Sequence, residues 1–211
     1  VLDDASLRCW GDGSAGQLGQ GDTADRGDAP GEMGDALPAV AVGTGRSVTA
    51  VAVSWNRTCA LLDDGSIKCW GANSVGEAGV GDTVRRGDGP GEMGDSLPVA
   101  LLGTGRTAVS LAAGVNHSCA VLDDGTLKCW GWNFSGQLGQ GDTVTRGTDP
   151  SQMGDNLPPI ILGGPSMSVV ASATETTLQA NGTIHLRVKI TNTGDRPLTR
   201  STLGDPNAPD C

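Results

Sequence analysis

The sequence has no tyrosine and one phenylalanine, and aromatics make up 3% of its 211 residues, so large aromatic side chains cannot build its core. With 34 glycines, the core must come from small aliphatic residues on many short strands joined by turns. Helix-period apolar runs are scarce. Only two histidines occur, His117 and His185, far apart in the sequence, and no nucleophile–histidine pair, catalytic acid pair or metal cluster can be assembled around either. We therefore expect no enzyme activity, no catalytic residue and no cofactor. Basic residues are outnumbered 24 to 14, giving a net charge of −10, which repels nucleic-acid phosphates and anionic lipid. No apolar run approaches the roughly 18 residues that would span a bilayer. Neither nucleic-acid binding nor membrane insertion is expected.

What is present is a repeat. Thr58-Cys-Ala-Leu-Leu-Asp-Asp-Gly-Ser-Ile-Lys-Cys-Trp-Gly71 recurs as Ser118-Cys-Ala-Val-Leu-Asp-Asp-Gly-Thr-Leu-Lys-Cys-Trp-Gly131, and its second half opens the sequence as Val1–Gly11. Cys-Trp pairs at 9, 69 and 129 set a period of 60 residues, the mark of a solenoid, propeller or array. Each copy reads as a β-hairpin. A type I turn at Asp63-Asp64-Gly65, closed by a left-handed glycine, pairs Leu62 with Ser66, Leu61 with Ile67, Ala60 with Lys68 and Cys59 with Cys69. Facing cysteines at cross-strand distance suit a disulfide, so Cys59–Cys69 and Cys119–Cys129 are the expected bonds. Zinc ligands usually come in close pairs, which are missing here. Disulfides imply an oxidising compartment, hence an extracellular or cell-surface location.

A glycine-studded loop follows each hairpin: Asp12–Thr23, Ala72–Thr83 and Trp132–Thr143. No lysine follows the glycines as a phosphate-binding loop requires, so nucleotide binding is not expected. Next comes a proline- and acid-rich excursion, Arg26–Pro38, Arg86–Pro98 and Arg146–Pro158. Asp22, Asp28, Glu32 and Asp35, repeated as Asp82, Asp88, Glu92 and Asp95, offer oxygen ligands for calcium. Their spacing matches no known calcium loop, and Arg26 or Arg86 can brace the same carboxylates instead, the reading we favour. The Arg-Gly-Asp triplets sit inside this repeated framework and are read as part of it. Glu32 and Asp35 also suggest a carboxylate hydrolase, which threefold repetition disfavours. The stretches 39–42 and 47–53, matched by 99–102 and 107–113, supply two further strands per repeat.

The pattern from Ala120 to Asp142, with Trp-Gly-Trp-Asn and the spaced glycines of Gly136-Gln-Leu-Gly-Gln-Gly-Asp142, resembles the regulator of chromosome condensation repeat. The resemblance covers residues 1–163 and implies a β-propeller of four-stranded blades, about seven in a closed ring. The cysteine pair and the long period resemble a secreted bacterial branch of that family. Residues 164–211, with alternating stretches at 167–177 and 183–193, resemble the start of the immunoglobulin-like repeat domains of prokaryotic surface proteins. Such a sandwich needs roughly seven strands.

The expected fold is thus all-β: a partial propeller of about three four-stranded blades, starting mid-repeat, followed by an incomplete immunoglobulin-like sandwich. Cys9 and Cys211 have no partner in the repeat arithmetic and are candidates for unpaired thiols or for a bond within the chain or between subunits. Two explanations fit these incomplete parts: a piece of a longer surface protein, or self-association by strand or blade complementation. The first functional expectation is a non-catalytic extracellular scaffold or adhesion module. Its alternative is a soluble protein-binding propeller, a role found within the family.

Overall fold

The computed structural model describes residues 1–162 and the two strands Met167–Ala173 and Leu186–Asn192. The chain forms two compact units, Val1–Ile160 and Ile161–Cys211. In the first, two antiparallel sheets repeat each other: β1 (Val48–Val53), β2 (Arg57–Leu62) and β3 (Ile67–Gly71), then β4 (Ala108–Ala113), β5 (His117–Leu122) and β6 (Leu127–Gly131), each in simple meander order. In the second, β7 (Met167–Ala173) pairs antiparallel with β8 (Leu186–Asn192), Val170 opposite Lys189. The immunoglobulin-like assignment beyond this pair, and Cys211, lie outside the described residues.

The hairpin register is the one that the spacing predicts: Leu61 faces Ile67, Ala60 faces Lys68 and Cys59 faces Cys69, with the same pairing at Val121/Leu127, Ala120/Lys128 and Cys119/Cys129. Gly65 closes the first turn at φ +75°, a conformation that costs a side-chain-bearing residue strain. Both cysteine pairs are disulfide-bonded, with Cα atoms 4.1 Å apart. Because side chains alternate across a strand, Cys59, Leu61, Ile67 and Cys69 share one face, and that face packs against Ala108, Ala120, Leu122 and Trp130 of the next sheet. On the other side of the first sheet, Ala60, Leu62 and Trp70 pack with Leu7 and Val42. The core is therefore a stack of interfaces between repeats, each built from small and medium apolar residues.

The four-stranded blade is corrected to three strands. Val99–Leu102 touches β3 at a single bridge, Lys68 with Val99, plus the bond from the Ala100 N–H to the Ile67 carbonyl. Its remaining groups turn elsewhere: the Leu101 N–H donates to Gly79, and the Leu101 carbonyl accepts from Gly154. Pro98 has no N–H to extend the ladder. A backbone that divides its hydrogen bonds between a sheet and two loops cannot run as a strand. The count of about three blades is likewise corrected to two three-stranded sheets among the described residues. Leu7–Gly11 stands where β3 stands in the other copies, held on one side by the Val40 N–H on the Leu7 carbonyl and by a Gly11–Arg26 bridge, but not paired into a sheet.

Candidate protein-docking face

The glycine-rich loops are fixed by latches between repeats. Thr58 and Trp70 lie opposite each other on β2 and β3, and both donate to the Gln17 carbonyl of the preceding loop, Thr58 Oγ1 at 2.8 Å and Trp70 Nε1 at 3.0 Å. Ser118 and Trp130 hold the Glu77 carbonyl in the same way, at 2.9 and 3.0 Å. Gly79 is required beside this latch. A Cβ there would come within 2.6 Å of Trp130 Nε1. Within each loop an asparagine acts as a clamp: Asn73 Nδ2 donates to the Asp82 carbonyl and Oδ1 accepts the Ala78 N–H, and Asn133 does the same with Asp142 and Leu138.

Loops so held present a rigid surface at the end of the sheets where β1 turns into β2. Trp55, in that turn, is 80% exposed, and its counterpart Val115 is 61% exposed. Ser54 Oγ donates to the Val115 carbonyl at 3.0 Å, tying the two turns together. The next link is the Trp132 N–H on the Asn116 carbonyl at 2.8 Å. Trp132 then meets Phe134 edge to face, ring centroids 5.0 Å apart, and Phe134 is 71% exposed. The result is a track of exposed apolar side chains, Trp55, Val115 and Phe134, on two turns and a loop joined by backbone hydrogen bonds, and it carries much of the molecule's sparse aromatic content. Between the first turn and loop lies a groove of about 420 Å³ lined by Trp55, Asn56, Arg57, Ala72 and Glu77.

At its floor sits a buried charge pair. Arg57 Nη1 is 3.9 Å from Glu77 Oε1, both side chains 1% exposed, while Nη2 donates to the His117 carbonyl and Ser118 Oγ. Burial pulls the Arg57 pKa down, and the Glu77 charge opposes that pull. One repeat later the same two positions carry His117 and Gln137. The charge pair is replaced as a pair.

The carboxylates considered for calcium are not brought together; no group of three candidate ligands forms among the described residues. Asp22 accepts Arg26 Nη2 at 2.7 Å, and Asp82 accepts Arg86 Nη2 at 2.6 Å. Glu32 accepts the N–H groups of Gly27 and Ala29, as Glu92 does those of Gly87 and Gly89. Asp95 accepts the N–H and hydroxyl of Thr44, across the repeat boundary, while Asp88 is 3.9 Å from Arg85. Asp28 and Asp35 stand exposed. These partners stabilise the ionised carboxylates: Arg86 lowers the Asp82 pKa, and in the third copy Arg146 holds Asp142 at about 2. Arg26 and Arg86 thus brace Asp22 and Asp82 at the entry to the excursion, while Glu32 and Glu92 hold its backbone. The Gly27 and Ala29 N–H groups lower the pKa of Glu32, the opposite of the raised value expected of a catalytic acid.

Cys9 is the free thiol among the described residues, half-buried, and burial pushes it up to about 11. Sequence reasoning missed the aromatic track. The available signal was a difference between copies: Trp132 and Phe134 replace Ala72 and Ser74 at loop positions where an apolar residue serves no strand.

The regulator of chromosome condensation (RCC1) repeat matches residues 48–77 and 108–137, which run from β1 to Glu77 and from β4 to Gln137, sheet plus latch loop. The ultraviolet-B receptor UVR8 of Arabidopsis thaliana is 32% identical over 164 residues, 77% of this chain and 32% of the receptor. The E3 ubiquitin-protein ligase HERC2 of Homo sapiens is 32% identical over 146 residues, 68% of this chain and 3% of the ligase. The chain thus spans about a third of the length of the receptor and a small part of the ligase. Among solved structures, human WBSCR16 aligns with a TM-score of 0.49 and 20% identity, over 80% of this chain and 38% of that one. With three-stranded sheets at a 60-residue period, latched through the matched segments, this chain carries β-propeller repeats of the regulator of chromosome condensation type.

Proposed function

We propose that the chain is a protein-binding propeller module, non-catalytic, that docks a partner on the face formed by Trp55, Val115, Trp132 and Phe134 and works in an oxidising compartment outside the cytosol. The exposed aromatic track carries this reading. Large exposed aromatics on a rigid support are the residues on which protein interfaces concentrate their binding energy, and they are costly to leave in water for no purpose. The repeat type supports it as well, because proteins built on this repeat generally serve as interaction modules. The two disulfides support the compartment. A cell-surface scaffold draws on the same disulfides but on no feature of the surface, and so ranks second.

The test places a photo-crosslinking residue at position 134 in one sample and at Asp124, at the opposite hairpin tip, in another. The expected result is a discrete protein adduct from position 134, absent from position 124 and lost on Trp55→Ala. Equal crosslinking from both positions, or adducts indifferent to Trp55, overturns the proposal.

A further inference from the structure

The groove beside Trp55 has a floor that the docking face does not explain. Arg57 and Glu77 both line it, each side chain 1% exposed. The guanidinium is held at one end: Nη2 donates to the Gly114 and His117 carbonyls and to Ser118 Oγ, while Nε and Nη1 have no hydrogen-bond partner. These are two of the four buried side-chain polar atoms left unpartnered among the described residues. Glu77 does not supply the missing bond, because its Oε1 stands 3.9 Å from Nη1, beyond hydrogen-bond reach. A buried charged donor without a partner is costly and calls for an occupant.

The other copies show that a glutamate is not required here to hold its loop. This position accepts the N–H two residues earlier in every copy: Gln17 Oε1 from Ala15 at 2.8 Å, Glu77 Oε2 from Val75 at 2.7 Å and Gln137 Oε1 from Ser135 at 2.9 Å. Glutamine suffices for that bond. A glutamate adds a second oxygen, and here that oxygen faces the unpartnered Nη1. One repeat on, His117 and Gln137 stand in place of the pair. The groove beside Trp55 thus offers a charged donor and a charged acceptor side by side, which its neighbour does not.

We propose that this groove is the anchor pocket of the docking face and takes a primary carboxamide, the side chain of a glutamine or asparagine on the partner. Its carbonyl oxygen accepts from Arg57 Nη1, and its amide N–H donates to Glu77 Oε1. Where the partner lies rests on the docking face proposed above; what it presents rests on Arg57 and Glu77. A primary amide carries acceptor and donor on one edge, so it spans two groups 3.9 Å apart. A trans peptide group points its N–H and C=O in opposite directions and satisfies one of the two. A carboxylate would meet Glu77 and an ammonium would meet Arg57, each a like charge on a floor stripped of water. A hydroxyl pairs with both through a single atom, and gains nothing over the water that it displaces.

The experiment titrates the full chain with propionamide and, in parallel, with propionate, propylammonium, N-methylacetamide and propanol, following the side-chain N–H resonances of Arg57 Nε and Trp55 Nε1. Propionamide should shift both in a saturable way, and each of the others should bind at least about tenfold more weakly. Glu77→Gln keeps the loop bond, as Gln17 and Gln137 do, and turns the spare acceptor into a donor. Two donors favour an anion, so the folded variant should prefer propionate to propionamide. The absence of a saturable propionamide shift in the wild-type chain, which leaves water as the occupant, overturns the proposal. So does equal binding of the probes, or an amide preference that survives Glu77→Gln. The wild-type comparison decides by itself if the variant does not fold. No partner protein enters these titrations. Propionamide binding without a crosslink from position 134 therefore refutes the docking face and keeps the amide pocket, and the reverse result does the opposite.

Discussion

Trp130 Nε1 and Ser118 Oγ converge on one backbone oxygen, the Glu77 carbonyl, at 3.0 and 2.9 Å, from directly opposite positions on two strands. A loop of one repeat is thereby fastened by a cross-strand pair of the next. Losing one donor leaves the carbonyl satisfied by the other. Trp130→Phe and Ser118→Ala should each cost about 1 kcal/mol, whereas the double variant, which leaves a buried acceptor unpaired, should exceed their sum by about 1 kcal/mol or more. Urea denaturation of the four proteins measures this coupling. Strict additivity would mean that the latch does not act as a unit.

The second prediction concerns Arg57 and Glu77, both almost wholly buried. Arg57→Ala strands the Glu77 charge and should cost about 3–5 kcal/mol. The double change Arg57→His with Glu77→Gln, which installs the residues that the third repeat carries as His117 and Gln137, should recover most of that loss. Denaturant midpoints decide between this and a role for Arg57 that no neutral pair can replace.

Much of this was legible in the sequence, and the physical reasons divide it cleanly. Hairpin register follows from turn type and a period of two, so Cys59 opposite Cys69 could be read without coordinates. The latch could not. Its partners, Trp130 and Glu77, lie 53 residues apart in different repeats, and a glycine-rich loop does not announce which indole it will meet. Residues 99–102 misled for the opposite reason: their apolar pattern is strand-like, while their backbone bonds are shared out among loops. Trp55 went unnoticed because a turn has no periodicity for an apolar residue to violate.

A third prediction follows from His117. Burial first, and then the charge of Arg57, hold its pKa below the ordinary 6.5. The unfolded chain therefore binds this proton more readily than the folded one, and stability falls as pH drops through 6.5 toward the lowered folded value. Asp95 and Asp142 are depressed from 3.8, so their contribution is lost only at lower pH and falls in a separate window. Stability measured from about pH 7.5 to about pH 5.5 should decline, and His117→Gln should flatten that decline. An unchanged slope in the variant would assign the effect elsewhere.

The two hairpin tips offer a comparison within one molecule. Gly65 and Gly125 have nearly the same backbone, at φ +75° and +81°. Their surroundings differ: a Cβ on Gly65 would come within 2.6 Å of Thr107 Cβ, whereas one on Gly125 would meet nothing within 4 Å. The reason is that the first tip braces the next sheet, its Gly65 carbonyl accepting the Ala108 N–H at 2.8 Å. Gly125→Ala should therefore cost only the left-handed strain, about 1 kcal/mol, and Gly65→Ala that strain plus an overpacking cost of about 1–3 kcal/mol. The first copy already carries an alanine at this position. Ala5 occupies the same turn position at φ +61°, and its carbonyl accepts the Val48 N–H at 3.2 Å, the same brace one repeat earlier. Ala5→Gly should then stabilise the protein by up to about 1 kcal/mol, because relief of the strain outweighs the entropy glycine adds to the unfolded chain. Thermal melts of the three variants, run together, should rank Ala5→Gly above wild type, then Gly125→Ala, then Gly65→Ala. If the two glycine variants prove equal, contact between the Gly65 tip and Thr107 is not what fixes the spacing of the sheets.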